Sequence, residues 1–353
     1  MKYTLGFVSS YNPHSAMHLR TIDQLPEIES IHLCVLEGED PDPLIGSSSK
    51  VETTTTDLSK LLVRDDLDAL IVATRNDQCS GVMAAAIDVG LPVLFEKPGA
   101  LSAEVLRRIS ENASAKRLTV GTFLQWRGQP MVREIVRAKK AGAFGRVMTA
   151  EARVVTSQVR YRDPNHWLFN QETAGSGILS WLGCHQLDAL CYLLDDRVVD
   201  VTAMVGQQNP ETITVEDTAV VAMRFSDGVI ASLHAGYHLV GSEKGYAGAA
   251  YDSFLALRGT EGYVRMPLSE EEGYSLMSIA PGWRSAGLRH ETFELPESPA
   301  YGGVVGEEFM RQFLEASRTG KPAMAPIEAM VHVMEIIEAA LRSARTGKTV
   351  SIG

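Results

Sequence analysis

Short apolar runs alternate with helix-like stretches through the first third of the chain. That alternation constrains the fold more than any other feature. The runs cover residues 5–8, 31–36, 70–73, 93–95 and 118–121, and the helical stretches between them cover 16–24, 58–62, 81–89 and 103–115. Strands that alternate with helices pair in parallel, so the pattern predicts an α/β doubly wound sheet over residues 1–122. Ser102 before Ala103 and Glu104 has the form of a helix N-cap with an acidic first turn. The segments 47–49 and 53–56 are serine and threonine runs and read as polar loops.

Beyond residue 122 the pattern changes. A helix over 131–141 leads to a strand over 146–155, an irregular stretch, and a strongly apolar helix over 178–194. Strand patterns follow at 198–205, 219–225, 229–238, 253–258 and 263–266, with Asp227-Gly228 as a hairpin turn signal between two of them. Successive strands without intervening helices predict an α+β second domain, residues 123–353, with a mostly antiparallel sheet. Two amphipathic helices, 307–318 and 327–345, close the chain and end at Gly320-Lys-Pro322 and Gly347-Lys348. A length of 353 residues fits roughly two domains.

Composition removes several classes of function. Hydrophobic content of 45% and charged content of 22% suit a globular chain with a large core. No apolar run approaches the roughly 20 residues of a membrane span, and the chain enters a strand at once, with no signal-peptide pattern, so no membrane partner is expected. A formal charge of −11 without a clustered basic stretch argues against nucleic acid. Cys34, Cys79, Cys184 and Cys191 form neither a CxxC pair nor a zinc spacing, and read as reduced cysteines of a cytoplasmic protein.

The run at 93–95 ends directly in Glu96, Lys97 and Pro98. Ligands of open parallel sheets bind beyond the carboxyl ends of the strands. Lys97 therefore stands where a substrate could sit, in a turn stiffened by Pro98. Loss of solvation favours the neutral form of an amine and suits it to act as a general base. The alternative is a solvated lysine after a strand.

The first strand should lead into a cofactor loop. The glycine fingerprint expected there is replaced by Ser9-Ser10-Tyr11-Asn12-Pro13-His14-Ser15. Ser10, Asn12 and Ser15 keep its spacing, and Ser9 precedes them; hydroxyls and an amide can bond phosphate, and Asn tolerates positive φ. Glu37, after the second strand, stands where an acid would hold the adenosine ribose, or else is a solvated loop acid beside Glu39 and Asp40.

A second cluster is Gly175-Ser-Gly177-Ile-Leu-Ser-Trp181-Leu-Gly183-Cys-His185-Gln-Leu-Asp188. Small residues open a helix whose first amides could face a polar or anionic ligand. Trp181, His185 and Asp188 fall at i, i+4 and i+7, which predicts one helix face. His185 could exchange a proton with a substrate hydroxyl, or be a core histidine. His185 and Asp188 lack a third ligand at metal spacing, so no metal is expected. Upstream, Tyr161-Arg162-Asp163-Pro164-Asn165-His166-Trp167 gathers polar and aromatic groups in a loop of the kind that lines substrate pockets.

Taken together, Ile71-Val-Ala-Thr74-Arg75-Asn76, Gly90-Leu-Pro-Val-Leu-Phe-Glu96-Lys97-Pro98 and the cluster at 175–188 resemble the glucose-fructose oxidoreductase / inositol dehydrogenase / rhizopine catabolism (Gfo/Idh/MocA) family. The resemblance runs from residue 3 to the closing Ser343-Ala-Arg-Thr-Gly-Lys-Thr-Val350. It implies an N-terminal Rossmann domain and a C-terminal domain whose large open sheet often forms the interface of a homodimer or homotetramer. It also implies NAD(P)-dependent hydride transfer on sugars, cyclitols or related polyols. By the same resemblance Lys97 and His185 are catalytic, and Thr74, Arg75, Asn76 and Glu96 join Ser9, Ser10, Asn12, Ser15 and Glu37 around the cofactor. Trp181, Asp188, Asp163, His166 and Trp167 would contact substrate.

The chain departs from the family pattern at three places: the glycine fingerprint, Arg75 in place of the usual proline, and Trp181 where an acid commonly precedes the histidine by one turn. The indole of Trp181 could offer an apolar face to a sugar, with Asp163 or His166 supplying the missing acid-base group. Glu37 repels a 2′-phosphate, which favours NAD over NADP. The competing functions are a lyase or hydrolase that retains NAD and oxidises its sugar transiently, and a sugar-binding or regulatory protein that has lost the dinucleotide.

Overall fold

Six strands pair in parallel in the order β3-β2-β1-β4-β5-β6 in the computed structural model, which describes residues 2–36, 38–240, 251–267, 273–283 and 287–353. They are β1 (Tyr3–Ser9), β2 (Ile28–Val35), β3 (Val51–Thr55), β4 (Ala69–Ala73), β5 (Val93–Phe95) and β6 (Val120–Thr122). Every residue of β4 and β5 is buried, as expected of strands covered on both faces. Gly6 in β1 lets the neighbouring strand close in: a Cβ there would lie 2.6 Å from Leu70 Cδ1. Strand order reverses between β1 and β4, so the loops that follow these two strands run to opposite sides and leave a ligand crevice at their carboxyl ends.

Several elements differ from the sequence expectation. The threonine run read as a loop is largely the edge strand β3, whose side chains stay exposed or half-buried and so carry no burial period. The last run begins later than expected, at Val120, because Arg117 turns left-handed (φ +57°) and Leu118 N donates back to Ala113 O at 2.9 Å. The helix expected over 81–89 starts earlier and spans Asn76–Asp88. Ser102 caps the helix Ala103–Ala115, accepting from Val105 N at 3.4 Å.

Contacts within the chain gather it into two units, residues 1–128 with 295–331 and residues 129–294 with 332–353. The returning segment of the first unit includes the helix Gly303–Thr319 and is tied to β6 by a bond from Thr122 N to Ala325 O (2.9 Å).

In the second unit nine strands form one sheet in the order β14-β13-β12-β11-β7-β10-β9-β8-β15. These strands are β7 (Val147–Ser157), β8 (Val198–Gly206), β9 (Thr218–Phe225), β10 (Ile230–Leu239), β11 (Tyr251–Gly259), β12 (Gly262–Pro267), β13 (Gly273–Ser278), β14 (Leu288–Thr292) and β15 (Val350–Ser351). The pair β7–β10 is parallel and the other neighbours run antiparallel. Gly228 (φ +91°) makes the turn between β9 and β10 at the hairpin signal. Burial alternates along β9, and the helix Cys184–Leu194 buries Leu187, Leu190 and Leu193. The opposite side of the sheet leaves Met204 82% and Val220 50% exposed.

The turn after β5 depends on a glycine. Gly99 adopts φ +79°, and a Cβ added there would lie 2.2 Å from the buried Phe95 ring. Gly99→Ala is expected to cost roughly 1–3 kcal/mol through overpacking and positive-φ strain. Gly81, within the helix Asn76–Asp88, has open space around a Cβ. Gly81→Ala is expected to gain about 0.5–1 kcal/mol. Unfolding midpoints that move in opposite directions support this packing; equal shifts contradict it.

Candidate active site

Side chains stitch the loop after β1 to the loop after β4. Asn12 Nδ2 donates to Thr74 O at 3.1 Å, and Asn12 Oδ1 accepts from His14 N at 2.9 Å. Ser15 Oγ donates to Ala73 O (3.1 Å) and lies 2.8 Å from Ser9 Oγ, whose hydroxyl donates to Glu39 Oε2 at 2.8 Å. Backbone bonds from Ser10 N to Ala73 O and from Arg75 N to Ser10 O complete the seam. The left-handed residue of the loop is Tyr11 (φ +49°), rather than Asn12.

This loop still suits a dinucleotide. Ser10 Oγ is buried and has no hydrogen-bond partner among the described residues, leaving a hydroxyl available to a phosphate oxygen. The helix Ser15–Asp23 that follows has no side-chain cap and no acid in the sequence of its first turn.

Glu37, the expected ribose acid, lies outside the described residues. The acid found at the end of β1 is Glu39, which the sequence reading passed over; burial raises its carboxyl above the usual value, against bonds from Ser9 and the Tyr11 backbone. Thr74 and Asn76 are buried beside the seam. Arg75 makes a two-point ion pair with Asp77, Nε–Oδ1 3.1 Å and Nη2–Oδ2 2.9 Å.

At the end of β5, Glu96 and Lys97 are 2% and 1% exposed. Lys97 is therefore not the solvated lysine that the sequence left open. Glu96 Oε1 faces His14 Nδ1 at 3.0 Å and His18 Nε2 at 2.7 Å, an arrangement the sequence reading missed. The HxxxH spacing of His14 and His18 ahead of a strand-end acid was its available signal. These three are the group of metal-ligand type found together among the described residues, and each imidazole directs a nitrogen to the carboxylate.

In the second unit the helix around His185 starts against a buried acid. Glu216 Oε1 accepts from Ser176 Oγ (2.7 Å) and Leu179 N (3.0 Å), and Glu216 O accepts from Ile178 N (3.1 Å). The amides expected to face a ligand are thus bonded to Glu216. Gly177 permits the approach, since a Cβ there would sit 1.9 Å from Glu216 O. Burial raises the Glu216 carboxyl above its usual value against these bonds. Nothing in the sequence around Glu216 signalled the role.

Leu179–Gly183 form a π turn ahead of the helix Cys184–Leu194, so the α-helical spacing that predicted one face is interrupted between Trp181 and His185. Trp181 and Asp188 are buried, while His185 is half-buried. The Trp181 ring is 2% exposed and meets Trp167 edge-on, ring centres 6.2 Å apart, and His166 lies 5.6 Å from Trp167. His166 Nδ1 accepts from Leu168 N at 3.3 Å, and burial lowers its pKa with Asp163 opposing. Asp163 itself is exposed and forms a turn, accepting from Asn165 N at 2.9 Å. The structure thus brings together Trp181, Trp167 and His166. Lys97 belongs to the first unit and His185 to the second.

Two family models match the chain. An oxidoreductase family model with an NAD-binding Rossmann fold covers residues 17–123, and the GFO/IDH/MocA C-terminal domain covers residues 132–265. A 1,5-anhydro-D-fructose reductase of Ensifer adhaerens is 28% identical over 63% of this chain and 70% of its own length. A D-apiose dehydrogenase of Paraburkholderia graminis is 22% identical over 96% of this chain and 87% of its own. Among solved structures, a levoglucosan dehydrogenase in complex with NADH and levoglucosan superposes with a TM-score of 0.85 at 20% identity, over 100% of both chains.

Burial lowers the pKa of His14, His166 and His332, so the folded chain resists protonating them. Below about pH 6.5 the unfolded chain takes up protons that these groups refuse, and stability falls as pH drops through that window. The denaturant midpoint is expected to be lower at about pH 5.5 than at pH 7; a flat midpoint would contradict the neutral, buried state of these imidazoles.

Proposed function

The chain belongs to the Gfo/Idh/MocA oxidoreductase family, and from that premise we propose that it oxidises or reduces one hydroxyl/keto position of a sugar, cyclitol or related polyol, with Lys97 as the proton-transferring group. The observation that carries this proposal is the placement of Lys97: 1% exposed, two residues past the end of β5, an interior strand of a parallel sheet, where such sheets bind their ligands. NAD, when bound, takes up or returns the hydride. Oxidation leaves one further task, removal of the hydroxyl proton, and the Lys97 amine accepts it; in reduction the Lys97 ammonium returns it. His185 takes the second role that the family resemblance implies, exchanging a proton with a substrate hydroxyl.

Ser10, the N-terminus of the helix Ser15–Asp23, and Thr74 and Asn76 would hold the dinucleotide, with an acid at the ribose. The acidic segment Glu37–Asp40 favours NAD over NADP by repelling a 2′-phosphate. Trp181, Trp167 and His166 would supply the aromatic side of the substrate pocket, and Asp163 and Asp188 its polar groups. Homologues named for anhydrofructose, apiose and inositol support a small polyol as substrate.

We also propose a homodimer or homotetramer formed through the outer face of the nine-stranded sheet, where Met204 and Val220 are register neighbours and both stand exposed. The acidic net charge of −11 supports the absence of a nucleic-acid partner. No helix among the described residues is long and apolar enough to cross a membrane. Cytoplasmic residence is supported by the buried thiols Cys34 and Cys79.

A panel of polyols assayed for reduction of free NAD tests the proposal. A substrate is expected, and Lys97→Ala should lower kcat on it by roughly two to four orders of magnitude while leaving cofactor affinity nearly unchanged. Near wild-type turnover in Lys97→Ala would remove the lysine from the mechanism. Product formation without net reduction of free NAD would establish a lyase or hydrolase instead.

A further inference from the structure

Two imidazoles and a carboxylate meet in the interior of the first unit, and proton transfer by Lys97 as described gives them no part. His14 directly precedes the helix Ser15–Asp23, His18 lies one turn into it, and Glu96 follows the last residue of β5. None of the three is more than 2% exposed. Both imidazoles converge on one oxygen, Glu96 Oε1, at 3.0 and 2.7 Å. The other oxygen, Oε2, is buried and has no hydrogen-bond partner among the described residues.

A carboxylate only accepts, so bonding to it calls for a proton on His14 Nδ1 and on His18 Nε2. A neutral His14 that donates from Nδ1 keeps Nε2 as an acceptor, and Tyr301 Oη lies 3.4 Å from that atom with its ring against the imidazole, centres 4.9 Å apart. His18 donates from Nε2, and its ring stacks on Phe123 with centres 3.9 Å apart. Burial on its own would favour an un-ionised Glu96; His14 and His18 nevertheless hold the carboxyl well below its usual range. Burial lowers the His14 pKa, against the charge and hydrogen bond of Glu96 and with the charge of Lys97 acting in the same direction as burial. Cys79 of the helix Asn76–Asp88 also lies near Glu96, and burial pushes its thiol up to about 12.

We propose that His14 and His18 are positioning residues for Lys97: they hold Glu96 as a buried carboxylate, and that fixed negative charge, one residue before the lysine, favours the ammonium that forms when the amine takes a proton. The proposal rests on the role given to Lys97 above. A buried carboxylate without donors is costly to ionise. Two rigid N–H groups aimed at one oxygen supply what solvent cannot, and the charge stays in place through each cycle of proton uptake and release.

Two readouts on the full-length chain test this. Infrared difference spectroscopy reports whether Glu96 is ionised. Wild type near neutral pH is expected to show no un-ionised carboxyl band that Glu96→Gln removes. The double variant His14→Ala/His18→Ala is expected to gain such a band, and Glu96→Gln in that background to abolish it. The pH profile of kcat/KM for oxidation reports Lys97. Loss of both donors is expected to move its limb to lower pH by about one unit, a tenfold fall in proton affinity.

Asn at 14 and Gln at 18 keep an amide N–H near the positions of the imidazole N–H groups and remove their titration. His14→Asn/His18→Gln is therefore expected to keep the wild-type limb and show no band, a rescue that a merely space-filling role would not produce. A Glu96 band in wild type, no band in the alanine pair, an unmoved limb once the band appears, or stoichiometric zinc held by His14, His18 and Glu96 would each overturn the proposal. If the alanine pair does not fold, a shifted limb in the Asn/Gln pair overturns it and an unshifted one supports it. Full turnover in Lys97→Ala would fell the role of Lys97 while leaving the infrared result standing, so the two failures are distinguishable.

Discussion

Strand β5 ends in two consecutive ionisable residues that water does not reach, Glu96 and Lys97. A charge in such a place must be met by fixed dipoles or by an opposite charge, because desolvation otherwise neutralises it. Much of the first unit's functional end answers that requirement. The helix after β1 begins with a histidine on either side of its first turn, both aimed at Glu96. Tyr301, from the segment that returns to this unit late in the chain, and Phe123, just after β6, hold the two rings. Gly99 lets the turn close over Phe95. The residue before Lys97 is thus held by side chains from several elements, which serves a proton-transferring group whose geometry must survive turnover.

The loss of the glycine fingerprint follows a related logic. Glycines at the end of β1 would let backbone approach a diphosphate, whereas here Asn12 and Ser15 bind the backbone of the neighbouring loop and so rigidify the crevice. Ser10 keeps a buried hydroxyl for a ligand, and Glu39 supplies an acid at Ser9. The second unit shows the same habit of using a side chain where backbone freedom is usual: Glu216 caps the start of the helix that carries His185, against a glycine that leaves it room.

Much of the fold was legible because buried parallel strands are continuous apolar runs, and 70–73 and 93–95 fall within or coincide with β4 and β5. The edges were not legible. Strand β3 has no buried residue and β14 is exposed along most of its length, so neither carries the burial period that a sequence displays. Lys97 and the cluster around His185 were found from strand-end position and motif, which are local. The partners of Glu96 and the cap provided by Glu216 come from distant parts of the chain, 78 or more residues away for Glu96 and 37 or more for Glu216, and spacing does not encode such contacts. The single face expected of Trp181, His185 and Asp188 assumed α-helical geometry, which the π turn interrupts.

The central claim is that dinucleotide binding survives in a crevice lined by hydroxyl and amide side chains instead of glycines. Titration of the purified protein with NADH and NADPH, followed by nicotinamide fluorescence, tests it most directly. Saturable binding of NADH, tighter than NADPH and weakened when Ser10→Leu fills the crevice, is the expected result. No saturable binding of either nucleotide would contradict the account and leave a sugar-binding protein without redox chemistry.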